Sequence, residues 1–202
     1  MNEGQTTIAT PGPGANPTAT AILDAAQEMM QAVGYNGLSF RDLASAVGIK
    51  SASVHYHFAT KTELGVALAR RYADRLLAEF DKLAELKLSP QAAMAAYVSG
   101  FRQTLQRDGR MCLAGILAAE IGAIPPEVQA EVRRFIDLNV AWLADIIARS
   151  TGTPADSDDV RDQAIAIFSA LEGAMMIARG SGDYSRFDAI AAQLTRTGLI
   201  PR

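Results

Sequence analysis

Apolar residues recur every three or four positions along most of this chain, and they do not alternate over any stretch. That period predicts helices throughout. The first runs from Thr18 or Thr20, with Ile22, Leu23, Ala26, Met29, Met30 and Val33 as its buried stripe, and Gly34 and Gly37 stop it around Tyr35. The next is short. Ser39 is its N-cap, Asp42 completes a capping-box-like pair, and Phe40, Leu43, Ala44 and Val47 form one apolar face. Gly48 supplies the positive φ of a tight turn, and Ser51 to Phe58 make a third helix with Val54 and Phe58 inward. Thr60-x-x-Glu63 then caps a long helix with Leu64, Leu68, Tyr72, Leu76, Phe80 and Leu83 on one side. Further starts follow at Ser89-Pro90, near residue 111, at Pro125-Pro126, at Thr153-Pro154 and at Ser185-x-x-Asp188. The expected fold is all-α. A three-helix head spans residues 18–60, and a larger helical domain spans 61–202. Residues 1–17, rich in Gly, Pro and Thr, are expected to be a disordered tail.

The most specific stretch is residues 39–64. Two short helices joined by a glycine turn form a helix-turn-helix, and the outer face of the second carries small and hydroxyl-bearing residues. Such a face can enter a major groove about 12 Å wide and reach base edges. Ser39 and Lys61 stand at helix N-termini, where phosphate oxygens are favoured. At this point the segment GIKSASVHYHFATKTEL resembles the recognition-helix signature of the TetR-type regulators. The resemblance is close over about residues 20–65 and extends in layout over 18–200. It implies that Ser51, Ala52 and Ser53 lie at the groove, that Lys50 reaches phosphate or guanine, and that Tyr56 bonds phosphate with His55 beside it. His55 is a departure, since many members have an aromatic residue there. His57 and Phe58 are read as packing that fixes the helix.

Composition narrows the alternatives. The chain has 202 residues, is 49% hydrophobic and carries a net charge of −3. That is not the balance of a non-specific DNA coater. Residues 18–61 set Arg41, Lys50 and Lys61 against Asp24, Glu28 and Asp42, so the head is formally neutral. A single Cys excludes an internal disulfide, and with no signal-like N-terminus and no apolar span the cytoplasm is the expected location, without a membrane partner. The only two histidines, His55 and His57, are two apart on one helix, which is poor geometry for a metal. No nucleophile elbow, phosphate loop or dinucleotide fingerprint is present. The chain therefore reads as a binding device rather than an enzyme, with no metal or cofactor expected.

The second domain is expected to hold a small-molecule inducer. Tyr97, Phe101, Cys112, Asn139, Trp142, Glu172 and Met175 are the candidate effector residues, each on a helix that lines the cavity in the family it resembles. Glu172 stands out because it interrupts the apolar run from Ile165 to Ile177, and a carboxylate there needs a partner or a solvated cavity. Small residues crowd the last two helices, which suits a four-helix interface between two chains. Ala166, Ala170, Gly173, Ala174 and Ile190 are its candidates. Cys112 opens a short helix near Arg107 and Arg110, features that would lower its pKa. Its segment also resembles a TetR-type subgroup in which a Cys at this place senses electrophiles, while the plainer alternative is a buried inert thiol. Together these readings give a homodimeric, ligand- or electrophile-responsive repressor of a palindromic double-stranded DNA operator. A helical small-molecule-binding protein that has lost DNA binding is the alternative.

Overall fold

The computed structural model describes residues 16–107 and 109–201, and every regular element among them is helical. The head comprises α1 (Pro17–Gly37), α2 (Phe40–Val47) and α3 (Ser51–His57). Then follow α4 (Lys61–Glu85), α5 (Pro90–Gln106), the short α6 (Leu113–Ala119), a single 3₁₀ turn (Ile121–Ala123), α7 (Pro126–Thr151), α8 (Asp158–Ser181) and α9 (Ser185–Arg196). α4 packs along α7, α7 on α8 and α8 on α9, while α5 lies against α7 and α8.

Three helix starts differ from expectation. Asn16, not Thr18 or Thr20, caps α1, its Oδ1 accepting from the Thr18 and Ala19 N–H groups at 3.0 and 3.3 Å. Pro17 explains the choice, because its fixed φ suits the first helical position. Asn16 and Pro17 therefore belong to the head, and the rest of the expected tail lies outside the described residues. Ser157 caps α8 in place of Thr153-Pro154, and Ser185 is the first residue of α9 rather than its cap. Asp183 accepts from the Ser185 N–H and hydroxyl at 3.1 and 2.6 Å, so a carboxylate upstream does the capping work. α8 is long and apolar enough by composition to cross a bilayer, but its apolar residues divide between the core and an uncovered outer face.

The head does not close its own core. Ile22, Ala26, Met30, Leu43 and Val54 bury against Leu64 and Leu68 of α4, Leu113 and Leu117 of α6, and Val128 and Val132 of α7. A second core joins α4, α5, α7, α8 and α9 around Tyr97, Leu143, Ile167, Leu171 and Phe187. α6 sits between the two. Its flanks are tied to α1 by polar groups. The Gln31 amide donates to the Met111 carbonyl at 2.7 Å in the interior. One Glu120 oxygen accepts from the N–H groups of Tyr35 and Asn36 at 3.0 and 3.3 Å. Those N–H groups are released because α1 breaks at Gly34, whose φ of 78° and ψ of 178° only glycine adopts readily.

Candidate DNA-reading face and effector cavity

The reading face is built by local caps. Asp42 N–H donates to Ser39 Oγ at 3.1 Å, and Gly48 closes α2 in the left-handed region at φ 73°. Val54 and Phe58 anchor α3 from beneath. That leaves Lys50, Ser51, Ala52, His55 and Tyr56 exposed and Ser53 half-buried on the outer side. Tyr56 is 84% exposed, which a phenol in a monomer's core would not be. The His55 ring packs on Phe40 of α2, centroids 4.7 Å apart, so the departure from an aromatic residue still fills an aromatic's packing role. His57 lies edge-on to Tyr56 and is half-buried.

Two expected phosphate contacts are engaged elsewhere. The Ser39 hydroxyl donates to Asp42 at 2.5 Å while accepting from its N–H, so it serves the cap and lies beside a negative charge. The Lys61 ammonium donates to the Asn36 carbonyl at 3.2 Å and lies over the Tyr35 ring, 4.9 Å from its centre. Desolvation lowers its pKa. Formal neutrality of the head is also misleading. Asp24 pairs with Arg71 and Arg75 of α4 at 2.9 and 3.3 Å, and Glu28 pairs with Arg110 at 3.2 Å. These acids are balanced by the second domain, and Arg41 and Lys50 are exposed.

In the second domain a cavity of about 360 Å³ opens between α4, α5 and α7. Of the effector candidates, Tyr97, Phe101, Cys112, Asn139 and Met175 line it, joined by Tyr72, Phe80 and Phe135. Asn139 is fully used within the chain. Its Oδ1 accepts from the Tyr97 hydroxyl at 2.8 Å, and its amide donates to the Phe135 carbonyl at 2.8 Å. It therefore orients Tyr97. Trp142 stands one layer back. It stacks on Phe80 at 4.4 Å and on Tyr97 at 5.3 Å, and it lines a second cleft of about 280 Å³ instead.

Residues 22–68 match the family description "Bacterial regulatory proteins, tetR family", and residues 90–193 match "Transcriptional regulator LmrA/YxaF-like, C-terminal domain". The chain belongs to the TetR family. It is a DNA-binding transcriptional regulator, a class that does not consist of enzymes. A TetR regulator from Legionella pneumophila superposes with a TM-score of 0.84 at 29% identity, covering 92% of this chain and 99% of that one. One from Agrobacterium tumefaciens gives 0.81 at 29% identity, covering 89% and 96%. The regulator AcuR of Cereibacter sphaeroides is 23% identical over 79% of this chain and 75% of its own.

Cys112 behaves in this TetR-family fold in the opposite sense to its sequence neighbours. It is the N-cap residue of α6, is 5% exposed, and its thiol pKa is raised well above the ordinary value. Burial is the main cause and the nearby Glu172 carboxylate the second. The expected acidic thiol is thereby overturned. Arg110 turns to Glu28 rather than to the sulfur.

Glu172 reaches the same wall from α8. Gly115 leaves room for it, since a Cβ there would overlap the carboxylate. Both oxygens are closed off from water and neither has a hydrogen-bond partner. Burial raises its pKa from 4.5 to about 7, against a smaller opposing effect of the Cys112 thiol. The native state therefore keeps a proton that the unfolded state has released. From this group, stability should fall as pH rises from about 4.5 to about 7 and stay level above. The full difference is at most about 3 kcal/mol. Glu172→Gln should remove that slope and stabilise the protein at neutral pH, as read by urea unfolding on either side of the window.

The dimer candidates divide. Ala166, Ala170 and Gly173 lie on the outer side of α8, where nothing stands within 4 Å of a Cβ placed on Gly173. Ala174 is 1% exposed and belongs to the chain's own core, half a turn round the helix. Helical geometry puts it opposite Met176 and Ile177, so it is not an interface residue. Ile190 packs partly against the same core. Sequence reasoning missed Ile165, Met176 and Ile177 as an exposed apolar set, although their three- and four-residue offset from Ala166 and Gly173 was a usable signal. It also missed Glu120 and Gln31, for which no local pattern exists.

Proposed function

We propose that the protein is a repressor that binds a palindromic operator as a homodimer and is released when a small molecule occupies the α4–α5–α7 cavity. One observation carries the reading. α6 begins at Cys112, on the cavity wall, and ends at Glu120, which holds the broken end of α1 in the head. A ligand pressing on the Cys112 end shifts a seven-residue strut whose other end sets the head's position. Effector binding then favours a head spacing that no longer fits two half-sites. The buried, raised-pKa thiol favours a reversibly held ligand over an electrophile as the inducer. Pairing of the head's acids with α4 arginines supports retained DNA binding over a carrier that has lost it. The cytoplasm suits this role.

On the reading face, Lys50 and Tyr56 meet phosphate, and Ser51, Ala52, Ser53 and His55 face base edges. Gel shifts with DNA upstream of the protein's own gene test this. Tyr56→Phe should weaken every sequence alike, by about fivefold, because one phosphate bond is lost. Ser53→Ala should instead change preference at one base position, costing about 1–3 kcal/mol there. Parental binding by both variants would place the reading face elsewhere.

A further inference from the structure

We propose that the cavity is built for an organic cation, an ammonium or related head on a flat apolar body, with Glu172 as its counter-charge. This rests on the reading of the second domain as an effector domain and names the chemistry of its ligand. Tyr72, Tyr97 and Cys112 all line the cavity, and the Glu172 carboxylate acts on all three. The charge therefore lies at the cavity's inner wall. No described lysine or arginine lines the space, and no hydrogen-bond donor reaches either carboxylate oxygen. An unpaired buried carboxylate is costly, and a protein that keeps one leaves a place for a positive partner.

The remaining wall suits the same ligand. Tyr72, Phe80, Tyr97, Phe101 and Phe135 present rings round the space, and Trp142 backs Phe80 in a near-parallel stack at 10°. Aromatic faces attract cations and accept flat apolar bodies. Asn139 offers no free amide to a ligand carboxylate, because both its groups are bonded within the chain. Gly115 and Glu172 face each other at the inner end, and any side chain at Gly115 would take up the space beside the carboxylate.

The proton on Glu172 competes with the cation. Tyr72 from α4, Tyr97 from α5 and Cys112 at the start of α6 are the titratable groups acting on it, and all are raised, so they stay neutral through the range used. α7 contributes uncharged Phe135 and Asn139. Cation affinity should thus rise with pH through about 7.

The test compares three probes of one skeleton, 4-phenylbutylammonium, 4-phenylbutanol and 4-phenylbutanoate. Calorimetry on the full chain is paired with fluorescence of Trp142, the only tryptophan. The ammonium should bind about tenfold or more tighter than the other two above pH 7. That preference should shrink below pH 7 and vanish in Glu172→Gln. Tighter binding of the butanoate, a preference for ammonium that survives Glu172→Gln, or no ammonium binding at all would each overturn the proposal. Operator binding is scored separately by gel shift. Ammonium binding without DNA release would uphold the ligand class and sink the repressor-release reading. An operator complex with no ammonium binding would do the reverse.

Discussion

Ile177→Glu should leave a folded monomer that no longer holds its operator. Ile177 is 56% exposed and Met176 beside it 55%, so a carboxylate there disturbs nothing inside the chain. In the proposed dimer the same position lies in an apolar seam between two α8 helices, where an unpaired charge costs several kcal/mol. Loss of pairing removes the second head from the operator. Two linked heads bind one palindrome far more tightly than one head, so affinity should drop about a hundredfold or more. Light scattering and a gel shift read the two effects, and circular dichroism should be unchanged. A dimer that persists in Ile177→Glu would move the interface off α8.

Gly34→Ala should weaken the joint between the domains. The substitution is doubly unfavourable. It forces an L-residue into φ 78°, ψ 178°, and its Cβ would overlap the Glu120 carboxylate that holds Tyr35 and Asn36. Backbone strain and lost charged hydrogen bonds together come to about 3 kcal/mol. For a chain of this size that is a fall of about 10 °C in Tm. Glu120→Ala, which loses the bonds without the strain, should fall about half as far and should bind DNA with a weakened response to effector. A Gly34→Ala protein melting like the parent would show that the break in α1 is not held by Glu120.

The parts of the fold that were legible in sequence are those decided within a few residues. The glycine turn at Gly48, the Thr60–Glu63 cap and the apolar stripe of α4 need no distant partner, and all stand as read. The helix starts at Asn16 and Ser157 slipped because several capping residues competed nearby and only packing chose among them. Cys112 was misjudged for a different reason. Its sequence neighbours are basic, but tertiary packing puts Glu172 beside it, from a residue sixty positions away, and removes water. Glu172 itself was visible as a carboxylate in an apolar run, though not the space that Gly115 leaves for it. Arg71 and Arg75 reaching Asp24, and Glu120 reaching α1, join segments that share no local pattern.

The head's core, closed by α4, α6 and the start of α7, has a consequence for building chimaeras. Residues 16–60 alone would expose Ile22, Leu43 and Val54 where Leu64, Leu113, Leu117 and Val128 now cover them. They would also leave Asp24 and Glu28 without their arginines. A transplanted reading head would therefore have to travel with the first half of α4, with α6 and with the opening turns of α7. The segment that can be exchanged between relatives as one piece is set by this buried seam and is discontinuous in the chain.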